Sequence, residues 1–372
     1  MPTERSPYPV LATLAAAGGL ALLLTGRGGG PTPARARTRP DGRPGDARPA
    51  AKAGPPAADG RGRGAASPTE IPARGWWDIA KRTASEVSND RVMTEAAGIT
   101  FYALLALFPA LGALISIYGL FADPAQINDH LAALSGVIPG GGMDIITDQV
   151  KRITAKGTGA LGFGALIGLA TSLWSANQAM KAMVDSLNIV YGEKEKRGFF
   201  LRLAVTLAFT LAGILFIVLA MVGVVAIPVV LNFIGLGGTL DTVLRLARWP
   251  VMLLVIGLFL ACLYRYGPSR ERAQWRWVSW GSAFASLAWI AFSVGFSWYV
   301  TNFGNYNETY GSLGAAIGFM TWIWLSSTIV LVGAELNAET EHQTARDSTE
   351  GPREPLGARG ARMADTVGAA KA

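Results

Sequence analysis

The sequence predicts an all-α protein: a polytopic membrane helix bundle with six transmembrane helices, plus amphipathic helices on the membrane surface. Three observations carry this reading. The chain of 372 residues is 51% hydrophobic and only 16% charged, and its mean hydropathy is positive, a balance too apolar for an ordinary soluble domain. The apolar residues gather into runs long enough to cross a hydrocarbon core of ~30 Å as helices. The basic residues concentrate in alternate loops between those runs, as in a membrane chain of fixed sidedness.

Residues 1–25 contain an apolar run, Pro9 to Thr25, that reads either as the core of a signal peptide or as a short anchor. Arg5 stands nearly alone before it, whereas Arg27, Arg35, Arg37 and Arg39 follow it. From 26 to 74 the composition turns to Gly, Pro, Ala and Arg with almost no large apolar residue, which predicts a disordered linker. Residues 26–75 hold ten Lys or Arg against four Asp or Glu, so most of the net charge of +7 belongs to this stretch. No nucleic-acid partner is expected from it.

The six-span domain covers 75–342. Trp76, Trp77, Ile79 and Ala80, mixed with Lys81, Arg82 and Glu86, predict an amphipathic helix at headgroup level. Span one is about Ala96 to Phe121, with Pro109 as a kink in its middle. Asp123 to Gly159 is too mixed to span. Its Ile127, Leu131 and Leu134, then Ile146, Val150 and Ile153, predict two short surface helices on either side of Pro139-Gly140-Gly141-Gly142. Spans two to six are about Leu161–Tyr191, Leu203–Leu231 with Pro228 near its end, Trp249–Tyr264, Trp277–Val300 and Gly311–Leu336. Residues 343–372 read as a disordered cytoplasmic tail.

Lys194, Lys196, Arg197 and Arg202 lie between spans two and three, and Arg265, Arg270, Arg272 and Arg276 between four and five. Thr301 to Tyr310 has no Lys or Arg, and Asp123 to Gly159 offsets three basic residues with four aspartates. Both termini of the core are therefore expected in the cytoplasm.

Span two begins apolar and ends polar. Trp174, Gln178, Lys181, Asp185 and Asn188 recur at spacings of three and four, along one helix face, with Asn177 beside them. At ~1.5 Å rise per residue, Glu95, Lys181, Asp185 and Glu335 fall at one depth, near the cytoplasmic boundary. Glu95, Asn177, Gln178, Lys181, Asp185 and Glu335 are the candidate polar vestibule of a substrate path. The plainer reading is an i, i+4 pair, Lys181 with Asp185, and charges that simply reach the interface. Gly164 with Gly168, and Gly314 with Gly318, have the spacing of close helix contacts. The outward loop Asn302 to Tyr310 offers hydrogen-bonding groups and interface tyrosines.

Enzyme signals are weak. The two histidines, His130 and His342, are far apart and Cys262 is the sole cysteine, so no metal site of His or Cys ligands is expected. Neither a G-x-S-x-G nor a Walker A sequence occurs. No catalytic residue and no cofactor is assigned. The expected partner is the lipid bilayer, and the substrate is not legible.

Four stretches resemble the YihY/BrkB family of bacterial inner-membrane proteins: GITFYALLALFPALG (Gly98 to Gly112), LWSANQAMKAMVDSLNIVYGEKEKRGF (Leu173 to Phe199), LYRYGP (Leu263 to Pro268) and YGSLGAAIGFMTWIWLSSTIVLVGAELNAE (Tyr310 to Glu339). The resemblance covers about 75 to 342. It implies a six-span cytoplasmic-membrane protein with both core termini inside. Family members have been labelled virulence or serum-resistance factors, and some carry an old ribonuclease BN label. A zinc-dependent nuclease needs a His/Asp cluster that two distant histidines do not supply. The expected function is permease-like transport or lipid and envelope handling, with a structural or scaffolding protein as the alternative.

Overall fold

Why these residues fold as they do is clearest at the ends of the helices. The computed structural model of the protein describes residues 60–121, 158–221, 239–303 and 312–371, all within the unit Gly54–Ala372. A 3-10 turn, Pro68–Glu70, leads to α1 (Ala73–Asn89), α2 (Val92–Phe121), α3 (Thr158–Val190), α4 (Phe199–Met221), α5 (Thr239–Tyr266), α6 (Trp275–Phe303), α7 (Ser312–Glu341) and the short α8 (Arg362–Asp365). Among the described residues the β pairing is one isolated bridge, Ala273 with Thr349. The all-α expectation holds. Three described stretches are long and apolar enough to cross a membrane: Phe199–Ile217, Trp275–Val300 and Ala316–Glu341. Val92–Leu107 and Pro250–Tyr266 are shorter apolar helices.

The expected surface helices of 123–159, Pro228, the loop 304–310 and the segment 1–25 lie outside the described residues. The fourth expected span, from Trp249, is part of a longer helix. α5 starts at Thr239 and carries Pro250 inside it. Asp241, Arg245 and Arg248 interrupt the apolar run without interrupting the helix, because helix continuity needs only backbone hydrogen bonds.

α1 follows Pro72 and buries the stripe Gly75, Asp78, Ile79, Arg82 and Thr83, at helical spacing. Its charged members face inward, so α1 belongs to the folded core as well as to its surface. Arg91 then takes φ 53°, the left-handed region, and turns the chain into α2. α2 packs along α3, and α7 packs against α6, α2 and α1. Val92, Ala96 and Ile99 of α2 meet Leu187 and Tyr191, Leu263 and Tyr264, and Leu331, Ala334 and Ala338 in one buried cluster. That cluster lies where the loops 191–198 and 267–274 converge. The remaining helix surfaces expose large apolar side chains, among them Phe163, Leu166, Leu254, Val294 and Trp298. Such a surface is costly in water and suited to hydrocarbon.

α6 and α7 cross with their backbones in contact. A Cβ on Gly281 would lie 2.1 Å from the Gly333 carbonyl oxygen, and one on Gly333 would lie 2.6 Å from the Ala285 Cβ. Asn337 locks this crossing: its amide donates to the Val278 carbonyl at 3.0 Å and accepts from the Gly281 N–H at 2.7 Å. The α6–α7 contact is therefore made by Gly281 and Gly333, one from each helix, a pair that spacing within one helix does not pick out. Gly318 has open space where a Cβ would stand.

Residues 60–72 and 342–371 form a cap over this end, in contrast to the disorder that their composition predicts. The Ala345 N–H donates to the Arg63 carbonyl at 2.8 Å, Thr344 Oγ1 to the Ala65 carbonyl at 2.7 Å, and the Lys371 N–H to Asp78 Oδ1 at 3.0 Å. Arg61 pairs with Asp78 at 2.6 Å. Burial works to raise the Asp78 carboxyl, but the Arg61 and Lys371 donors hold it below the usual carboxylate range. Hydrogen bonds and ion pairs hold the cap together with isolated apolar contacts, Ala65 and Ile71 with Ile79 and Trp277, so an apolar-run criterion passes over it.

Candidate functional site at the charged end of the bundle

The basic loops flanking α4 and α5 meet at this end. Asn188 Oδ1 accepts from the Ser269 N–H at 2.7 Å, and Arg197 donates to the Gly267 carbonyl at 2.7 Å. Arg270 is fully buried, paired with Glu341 at 2.8 Å, and its guanidinium lies 4.0 Å from the centre of the Tyr191 ring. Ser348 of the cap donates to the same Glu341 at 3.0 Å. Each buried charge in this group has a counter-charge, as burial requires.

The six sequence-picked residues do not share one site. Glu95, in the first turn of α2, accepts from Ser186 Oγ of α3 at 3.0 Å. Asn177 is buried and accepts from Thr210 Oγ1 of α4 at 3.5 Å. Asp185 pairs with Arg202 of α4, one leg at 2.6 Å. Gln178 and Lys181 are half-buried on α3. No ion pair holds Lys181 among the described residues, so the i, i+4 pairing with Asp185 is replaced by the contact to α4. Arg202 also reaches Glu195 at 3.9 Å. Burial alone would raise the Glu195 carboxyl, but hydrogen bonds from Arg197 and Asn188 bring it down to about 2.

Glu335 stands apart. Its side chain on α7 is fully enclosed, and among the described residues no donor reaches either carboxylate oxygen. The nearest charges acting on it are acidic too, Asp90 first and then Glu339 and Glu86. Burial lifts the Asp90 carboxyl above the ordinary range; Glu335 partly offsets this and Glu86 adds to it. The Tyr191 hydroxyl, which feels Glu335, is likewise buried without a partner. Along α7 the acidic column continues outward through Glu339, which is held by Arg82, to His342, whose Nδ1 lies 3.4 Å from Glu339 Oε2 and which reaches solvent. Among the described residues, no three His, Cys, Asp or Glu are placed to hold a metal ion.

Sequence reasoning misses Asp90, Arg82, Tyr191 and Glu339. A signal for part of the set is present: Glu335, Glu339 and His342 follow at spacings of four and three, a continuing helix face beyond the apolar run.

An apolar helix bundle with exposed hydrocarbon-like surfaces, closed at one end by charged loops, defines an integral membrane protein. The chain belongs to the virulence factor BrkB family, which it matches over residues 83–357. It is 30% identical over 254 residues to YfkH of Bacillus subtilis, a protein whose name calls it ribonuclease-like, covering 66% of this chain and 88% of that one. It is 27% identical to a UPF0761 membrane protein of Vibrio campbellii, over 69% of this chain and 81% of the relative. A Neisseria meningitidis UPF0761 membrane protein is 24% identical over 72% of this chain and 63% of its own. No solved structure matches.

Proposed function

We propose that this chain is a permease-like protein of the bacterial cytoplasmic membrane, spanning it six times with both core termini inside, and that Glu335 handles a proton in its working cycle. The enclosure of Glu335, with no hydrogen-bond donor on its carboxylate among the described residues, carries the reading. A bare charge there is expensive, and a carboxyl kept at such a cost inside a span marks an ion or proton path. Asp90, Glu339 and His342 supply a graded route from that point to the surface. The excess of Lys and Arg in the two loops that meet at this end favours its being the cytoplasmic end. No catalytic role is assigned to any residue. The scaffold alternative has the cytoplasmic arms recruit partners, and the packing of 60–72 and 342–371 into the cap leaves those residues less available for it.

In a strain lacking the protein, Glu335→Gln is expected to reach the wild-type level in the membrane yet fail to restore the phenotype. Full restoration by Glu335→Gln would remove the proton-handling assignment.

A further inference from the structure

A cavity of ≈ 680 Å³ opens between α4 and the α5–α6 turn, and Glu335, Asp90, Glu339 and His342 take no part in its wall. One side is apolar: Leu201, Val205, Ala208 and Phe209 of α4. The polar part of its lining holds Lys196, Arg197, Arg265, Arg270 and Arg272 against a single acid, Glu271, and of these Lys196 and Arg272 stand exposed at the lip. Three of these cations are already engaged, Arg197 by Glu195, Arg265 by Glu350 and Arg270 by Glu341. Two remain for a ligand. Arg272 is exposed, without a carboxylate partner among the described residues, its guanidinium 5.3 Å from the centre of the Tyr266 ring. Lys196 pairs with Glu193 at 2.9 Å, but its side chain is 58% exposed and an ammonium has further donors to give.

The apolar wall runs into the outer face of α4, one of the candidate spans, where Phe199, Phe200, Leu211 and Leu215 are exposed. Half-exposed Tyr266 and Trp275 stand beside the lip, at the position of interface anchors. The cap closes the far end, where the Glu271 N–H donates to the Gly360 carbonyl at 3.3 Å. A cationic lip over an apolar wall that continues along a membrane-facing helix complements an acidic headgroup with attached acyl chains. We propose that this cavity binds an anionic phospholipid, its phosphate on Arg272 and Lys196 and an acyl chain along Leu201 to Phe209. A soluble anion would leave the wall unused, and a zwitterionic headgroup would bring a cation against the lip.

The test is native mass spectrometry of the full chain in detergent, titrated with dioleoylphosphatidylglycerol or dioleoylphosphatidylcholine, with inorganic phosphate as a competitor. Phosphatidylglycerol is expected to bind about tenfold more tightly than phosphatidylcholine. Lys196→Gln with Arg272→Gln should bring the two lipids to equal affinity, and Arg272→Lys should retain the preference. Thermal unfolding of each variant confirms that these lip substitutions leave the fold intact. Equal binding of both lipids to the wild type, an unchanged preference in the double variant, or full displacement by inorganic phosphate would overturn the proposal.

Discussion

Lys181 and Asp185 stand four residues apart on α3, yet Asp185 turns to Arg202 across the helix interface. Spacing along one helix gives the local option, and tertiary packing offered a better one: a guanidinium that meets the carboxylate with two N–H···O contacts. Because both partners keep substantial exposure, the pair is worth little, ~0–1 kcal/mol. A double-mutant cycle on thermal unfolding should give a small positive coupling for Asp185 with Arg202 and none for Lys181 with Asp185. Glu195 predicts a pH dependence. Its folded value, about 2, lies below the ordinary 4.5, so its contribution is complete above about 4.5 and is lost as pH falls toward about 2. The stability gap between wild type and Glu195→Gln should therefore hold from pH 7 to pH 5 and close below it. A gap that widens on acidification would contradict the assigned hydrogen bonds. Glu335 was legible from its sequence position as a costly charge at a span's end. Its companion Asp90 was not, since an acid in a short connection carries no signal until the fold brings it to α7.

At the scale of helices, apolar runs revealed the elements because burial and lipid contact both select them. The start of α5 was missed for the same reason: a helix that continues past its apolar run leaves no mark in hydropathy. Helix contacts were harder to read than helices. Gly-x-x-x-Gly spacing occurs at Gly314 and Gly318, but the backbone contact falls on Gly281 and Gly333, one from each partner helix, a pairing invisible within either segment. Gly281→Ala should cost about 1–3 kcal/mol or prevent folding, because the new methyl would meet backbone that cannot move away. Gly318→Ala should be neutral or slightly stabilising. Thermal unfolding in detergent compares the two, and equal effects would contradict the described crossing.

For the molecule as a whole, the family, the all-α class and the membrane setting were legible because composition and long motifs specify them. The cap was not. Its segments hold few large apolar residues, and its order draws on hydrogen bonds between stretches some 280 residues apart, a separation that no local pattern spans. Within the cap, limited trypsin digestion should cut after exposed Arg353, whereas buried Arg359, which donates to the Ala345 and Ala364 carbonyls at 2.7 and 2.5 Å, should resist until the protein unfolds. Prompt cutting at both would contradict a packed cap. The proposed role of Glu335 can be tested without knowing the cargo. Dicyclohexylcarbodiimide reacts with protonated carboxyls in apolar surroundings, and peptide mass spectrometry locates the adduct. The membrane-embedded wild type should carry an adduct at Glu335 that declines as pH rises. No adduct at Glu335 across the pH range, in protein that remains folded, would contradict a proton-handling role for this residue.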